Sequence, residues 1–541
     1  MSDKKNIENI RTLAVDIVQN ANSGHPGAPL GLATFVYTLY KDYLKFDPDN
    51  DEWTGRDIFI LSNGHACVIQ YIMNYFIGYL TLDDLKNFRS LNSRTPGHPE
   101  RQFKGIEVTS GPLGQGLANS VGFAISLKKL DLKNMVYCVF GDGCYQEGIG
   151  QESFSIASNL NLDNITFIYD YNNSTIDGPT SLSMNENVEK RFKSLNFHVT
   201  VVDGENIEEI KKALNFEARK PKVIILQTMI GRDSILEGNS KSHGSPIGEE
   251  GVRKLKEKYG IPQEKFYISN QLKEEFDAIN ERKRKITKEL DDKTNHEMIK
   301  KLKLKDLSDE SYSCNDEITT EKLATRKIFS NLLNDLKDKE CLICGSADLA
   351  SSVLCKLNEG NDFTNENFKG NYINFGIREH AMCGVMTGIA SHGFYMPICG
   401  TFLNFIAYGY PSVRLASLDK LNTVYVLSHD SICLGEDGPT HQPIETLLTL
   451  RSTPNLITMR PCDIKECKAA LNVCLSKQGP KAVILTRQKV PFIEHTCKSK
   501  ALKGAYYLIE HPNPDLIIMG TGSEIELCYQ VLDELKELNI H

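Results

Sequence analysis

Short apolar runs alternate with helix-length segments over the first 230 residues or so, as at Val136–Phe140, Ile165–Tyr169 and Val223–Leu226. That alternation predicts parallel sheets with crossover helices. From about Lys254 to Asp309 the chain is rich in Lys and Glu and poor in apolar runs. It reads as helical, the tail of a first domain plus a linker. A second series begins near Glu321, with strands expected at Cys341–Cys344, Asn371–Asn374, Thr423–Leu427, Leu456–Met459 and Ala482–Thr486. A third opens with an expected strand at Leu516–Met519 and a helix from Ser523 to Leu538, and the sequence stops three residues later. One strand and one helix cannot form a domain core, so this last domain is expected to be incomplete. The expected organisation is α/β: two parallel-sheet domains, 1–315 and 316–495, plus the start of a third, 496–541.

Composition narrows the class. The chain has 541 residues and a net charge of −8, with a sequence pI near 6.0. Nucleic acid is therefore not an expected partner. The fifteen cysteines show no disulfide-framework spacing, and Cys341-x-x-Cys344 lacks a second pair at zinc-finger spacing. Buried thiols in a reducing compartment fit better. The charged start, Met1 to Asn9, leads into no apolar signal region, and no apolar run approaches membrane-spanning length. A cytoplasmic protein without membrane partners is expected. Asn164–Ile165–Thr166 fits a glycosylation pattern but falls in an expected strand.

Two of the apolar runs end in oxygen ligands. Gly141–Asp142–Gly143 closes the first, and about thirty residues on the second ends in Asp170–Tyr171–Asn172–Asn173. Neighbouring strands that each deliver an oxygen at the C-terminal edge of a parallel sheet can hold a divalent cation against a diphosphate. A carboxylate from Asp142 and an amide oxygen from Asn172 suit Mg²⁺ or Ca²⁺. The glycines let backbone approach phosphate oxygens.

Of thirteen histidines, five sit in Gly/Pro-rich loops: His25, His65, His98, His243 and His441. Together they suggest a polar pocket able to exchange protons near neutrality and to donate to hydroxyl and phosphate oxygens. Zinc is the rival, but the spacings match no zinc pattern. Phe402, Phe405 and Tyr408 recur every three residues, a stripe that reads as core or as an aromatic wall. Glu379 reads either as an acid at a helix N-terminus or as a catalytic carboxyl.

Several longer motifs decide between these readings. They are SGHPGAP (Ser23–Pro29), TPGHPE (Thr95–Glu100), TSGPLGQG (Thr109–Gly116), GDGCYQEG (Gly141–Gly148), GIREHAM (Gly376–Met382), GTFLNF (Gly400–Phe405) and GEDGPTHQPIE (Gly435–Glu445). In this order the chain resembles the transketolase family of thiamine diphosphate-dependent ketol transferases, from Arg11 to its end.

The resemblance implies roles residue by residue. Asp142, Asn172 and the backbone carbonyl of Ser174 would ligate the metal. Gly111, Pro112, Leu113, Gly143, His65 and His243 would hold the diphosphate and thiazolium of thiamine diphosphate. Ile176 and Leu113 would wedge the cofactor into its bent form, and Asp348 would contact it. Glu379 would bond N1′ of the aminopyrimidine, with Glu147 as its carboxylate neighbour, and Phe402, Phe405 and Tyr408 would wall the ring. Arg326, Arg487, Ser352 and His429 match phosphate ligands, and Asp437 the acid that reads the acceptor's α-hydroxyl. His25, His98, His243 and His441 would contact sugar hydroxyls or move protons.

The implied reaction moves a glycolaldehyde unit through a thiamine ylid, from xylulose 5-phosphate to ribose 5-phosphate or erythrose 4-phosphate. The implied assembly is a homodimer with active sites at the subunit interface. Dihydroxyacetone synthase shares these motifs, and a non-catalytic binding protein of the same descent is the alternative from another class.

Overall fold

The computed structural model describes residues 2–291 and 321–541. The chain divides into two compact units, Met1–Asn295 and His296–His541.

The first unit is built on five parallel strands: β1 (Ile58–Leu61), β2 (Val136–Gly141), β3 (Ile165–Tyr171), β4 (His198–Asp203) and β5 (Lys222–Gln227). Their order is β1-β2-β3-β5-β4. The central strands are continuous apolar runs because both faces are covered; every residue of β2 is buried, and all of β3 but Tyr171. β4 lies at the edge with polar residues partly exposed. Helices Ser2–Asn20, Gly27–Thr38 and Cys67–Phe76 contribute to one core. Asn164 is buried and donates its amide to the Ala124 carbonyl (3.0 Å), so this glycosylation pattern is occupied by packing. The Lys/Glu-rich stretch contains helices Glu249–Tyr259 and Asn270–Asp291. Its remainder, with the boundary expected at 315, lies outside the described residues.

The second unit opens with β6 (Leu323–Ala324), followed by β7 (Leu342–Ser346), β8 (Tyr372–Asn374), β9 (Met396–Phe402), β10 (Val424–Ser428), β11 (Ile457–Met459), β12 (Lys481–Leu485) and β13 (Lys489–Val490). Six of these form a parallel sheet in the order β11-β12-β10-β9-β7-β8. β6 and β13 pair separately and antiparallel, Ala324 opposite Lys489. Cys344 is a buried thiol on β7, and Cys341, just before it, is half-buried.

One expected strand is absent. Leu516–Met519 is irregular and exposed, Met519 by 90%. An apolar run becomes a strand only where a neighbouring strand takes its backbone hydrogen bonds, and none lies beside it among the described residues. The helix that follows does form, over Ile525–Glu537, after a 3₁₀ turn at Gly522–Glu524. The three-residue aromatic spacing is also not a helical stripe. Phe402 ends β9, Phe405 caps the helix Ile406–Leu418, and Tyr408 lies within it.

Candidate active site

Asp142 directly follows β2 and Asn172 directly follows β3. The strands are paired with Gly141 opposite Asp170, so both residues arrive at one sheet edge. Asp142 is 2% exposed. Its Oδ1 accepts from the Tyr169 hydroxyl (2.7 Å) and its Oδ2 from the Ser174 N–H (3.2 Å). Burial nevertheless pushes its carboxyl up to about 6, against those hydrogen bonds. Asn172 Oδ1 accepts from the same Ser174 N–H (3.1 Å), and its Nδ2 donates to Asp170 Oδ2 (3.0 Å).

A cavity of about 220 Å³ opens at this edge. Its lining brings together Asp142, Gly143, Asn172, Ser174, Ile176, Leu113, His65 and His243 from the expected set. A Cβ built on Gly143 would lie 2.6 Å from Leu113 Cδ1, so any side chain there would displace Leu113 from the cavity wall. Gly111 and Pro112 precede Leu113 but are not among the lining residues.

The donor set fits a hard divalent cation. A carboxylate and a carboxamide oxygen already converge on one buried edge, and two acids, Asp142 and Asp170, share it. Burial, with the charge of Asp142 adding to it, pushes Asp170 up to about 7. A cation beside them would offset that cost.

Four histidines cluster here. His65 and His243 have ring centroids 4.8 Å apart, and His25 lies 5.3, 5.9 and 6.0 Å from His65, His243 and His98. His65 sits in a 3₁₀ turn and His243 in a short helix, Lys241–Gly244, rather than in open loops. Burial pushes all four below the ordinary imidazole range, His25 to about 4 with Arg89 adding. Burial thus favours the neutral ring in all four. Arg89 Nη2 lies 3.2 Å from His25 Nδ1 and fixes that ring's outer face.

In the second unit the expected residues again gather at the C-terminal ends of the strands. Glu379 is the first residue of the helix Glu379–His392, 9% exposed, and burial raises its carboxyl above the ordinary range. Its place in the first turn is the helix-terminus reading. Phe402 and Phe405 stack (5.6 Å, 18°), Tyr408 follows at 6.4 Å, and His441 stands edge-on to Phe405 at 5.0 Å. His429 is 3% exposed, and burial with the charges of Arg326 and Arg487 lowers it to about 4. Asp437 acts on it in the opposite sense.

Arg326 donates to the Ser352 carbonyl (2.6 Å), and Arg487 pairs with Glu436. The two arginines are brought near each other by reciprocal bonds between the residues before them. Thr325 N–H donates to Thr486 Oγ1 (2.9 Å) and Thr486 N–H to Thr325 Oγ1 (2.7 Å). Asp348 is exposed just beyond β7, with φ of +59°. Glu147 is exposed and lies in the first unit.

Sequence reasoning missed three groups. Asp170, which holds the Asn172 amide, stood in view beside Asn172. Glu436 stood beside Asp437. Asn63, which also lines the cavity, stood beside His65.

Fold and site together define a thiamine diphosphate enzyme with two cofactor-binding domains. Residues 2–311 match the thiamine diphosphate binding domain of transketolase, and residues 321–492 its pyrimidine binding domain. Transketolase 1 of Saccharomyces cerevisiae is 41% identical over 99% of this chain and 84% of its own length. The transketolase of Aquifex aeolicus is 40% identical over 99% of this chain and 82% of its own. Among solved structures, transketolase from Pichia stipitis in complex with sedoheptulose-7-phosphate superposes with a TM-score of 0.95 at 38% identity, covering all of this chain and 85% of that one. The chain belongs to the transketolase family and is a transferase.

Proposed function

We propose that the protein transfers a two-carbon glycolaldehyde unit from a ketose phosphate such as xylulose 5-phosphate to ribose 5-phosphate or erythrose 4-phosphate. The observation that carries this reading is the buried edge where Asp142, Asn172 and Ser174 share a cavity with His65 and His243, against whose rings His25 and then His98 are clustered. Thiamine diphosphate, when bound, would supply a nucleophilic carbon and an electron sink.

The chain's own residues bind, orient and move protons. Asp142, Asn172 and the Ser174 carbonyl hold Mg²⁺ or Ca²⁺. Gly111, Pro112, Leu113, Gly143, His65 and His243 hold the diphosphate side, with Ile176 and Leu113 beneath the bend. Phe402, Phe405 and Tyr408 wall the pyrimidine, and Asp348 contacts it. Glu379 lies toward N1′ of the ring, and burial raises its carboxyl, the direction that favours the protonated form such a bond needs. Glu147 is its carboxylate neighbour across a homodimer interface. His25, His98, His243 and His441 contact substrate hydroxyls and accept and return protons. Arg326, Arg487, Ser352 and His429 bind the substrate phosphate through charge-assisted bonds, and Asp437 reads the acceptor's α-hydroxyl.

The homodimer has support in large apolar side chains left exposed in each unit by itself: Ile176 (68%) in the first, and Ile377 (78%), Tyr408 (68%) and Ile444 (72%) in the second. Large apolar side chains left exposed within a unit are candidates for an interaction surface. The proposed domain limits are 1–315, 316–495 and 496–541, and the proposed setting is the pentose phosphate pathway in the cytoplasm. Among the described residues no helix is long and apolar enough to cross a membrane.

The acceptor tests the reading. Turnover with ribose 5-phosphate should exceed turnover with formaldehyde at equal concentration. The reverse order would assign dihydroxyacetone synthase instead.

A further inference from the structure

We propose that Asn63 is a binding residue for the diphosphate and its hydrated cation. The inference rests on reading the cavity beside Asp142 as the cofactor site. Asn63 leaves the end of β1 and precedes the 3₁₀ turn Gly64–Ala66. Asparagine before a helical turn ordinarily turns its side-chain oxygen back to cap the free N–H groups. Here the side chain makes no cap bond. It is 1% exposed, and among the described residues neither its Oδ1 nor its Nδ2 has a hydrogen-bond partner.

The amide lines the cavity together with Gly141, Asp142, Gly143 and Asn172. A Cβ built on Gly141 would lie 3.8 Å from Asn63 Nδ2, so the amide faces the backbone that leads into Asp142. The polar groups around it are already engaged, Asn172 with Asp170 and Asp142 with Tyr169 and Ser174. A buried amide left unpaired on both atoms costs stability. Such a group persists where a ligand completes it. Phosphate oxygens accept from N–H groups, and water carried by a small hard cation donates to a carboxamide oxygen. One diphosphate with one hydrated cation satisfies both ends of Asn63.

The test uses the full chain and two readouts. Thermal melting is measured without ligand, and thiamine diphosphate affinity is measured calorimetrically in the presence of Mg²⁺. Asn63→Ala should leave the ligand-free melting temperature unchanged or higher, because an unpaired buried amide is removed. The same variant should bind the cofactor about 10- to 100-fold more weakly, the size of effect seen for groups supporting a metal site. Asn63→Asp, which sets a carboxylate against phosphate, should bind more weakly still.

Wild-type affinity in Asn63→Ala, tighter binding in Asn63→Asp, or a ligand-free Asn63→Ala that melts well below wild type would each overturn the proposal. Asp142→Ala is the control. If it loses affinity while Asn63→Ala does not, only the role of Asn63 fails. If neither loses affinity, the cavity is not the cofactor site.

Discussion

The imidazole of His429 stacks on the ring of Phe402, with centroids 3.6 Å apart and planes 27° apart. Phe402 ends β9, His429 follows β10, and those strands are paired with Phe402 opposite Ser428. The proposed pyrimidine wall and phosphate grip therefore share one packed contact. Phe402 is 7% exposed, and Phe402→Ala should cost roughly 3–5 kcal/mol of stability. It should also weaken cofactor binding and raise KM for phosphorylated donors together. Calorimetric melting with parallel titrations checks this; a variant that loses only cofactor affinity would uncouple the two.

Glu379→Gln should cripple turnover while leaving cofactor affinity largely intact. Glutamine keeps the shape of the buried side chain but removes the carboxyl proton proposed to reach N1′. Steady-state kinetics beside a cofactor titration separates the effects, and equal loss of both would remove the assigned role.

Arg487→Ala should raise KM for xylulose 5-phosphate far more than for hydroxypyruvate, which carries no phosphate. The structure adds a companion expectation. Arg487 is paired with Glu436, a carboxylate that is 63% exposed, and substrate phosphate must displace it. Glu436→Gln should lower KM for phosphorylated donors about two- to fivefold, the size of an exposed ion pair. An unchanged KM would mean that the pair does not compete with substrate.

The depressed histidines make stability depend on acid. His25 and His429 are each lowered to about 4 in the folded protein, from 6.5. Between those values the unfolded chain binds protons that the folded chain does not, so stability rises with pH through this window. The stabilisation is fully present above pH 6.5 and is lost as pH falls toward 4. The raised carboxyls of Asp142 and Asp170 act in the opposite sense over this window, so the His25 contribution is read as a difference: between pH 6.5 and 4.5, His25→Gln should lose less melting temperature, or gain more, than wild type. NMR titration of the ring protons should show both imidazoles neutral at pH 5.5.

Much of the fold and of the proposed site was legible in the sequence because the chemistry is local there. GDG and the Asp170–Asn173 turn close apolar runs that are central strands, and adjacency in the sheet carries them to one edge. What could not be read depends on distant partners. Leu516–Met519 looks like a strand until no neighbour is found for its backbone. Arg326 and Arg487 are 161 residues apart, and the Thr325–Thr486 bonds and the pairing of Ala324 with Lys489 bring them near each other. Asn63 carries no signal of its own two residues before His65, and its unpaired amide appears only once the turn and cavity exist. The aromatic triplet looked like one helical face because the spacing across a strand end, a turn and a helix start happens to match it.

The central claim, ketol transfer at these sites, is tested most directly by a coupled assay with xylulose 5-phosphate and ribose 5-phosphate. The assay is run with and without added thiamine diphosphate and Mg²⁺. The account predicts release of glyceraldehyde 3-phosphate that depends on both additions and is lost in Asp142→Ala. Cofactor-saturated protein that releases none, with either ribose 5-phosphate or erythrose 4-phosphate as acceptor, would contradict it.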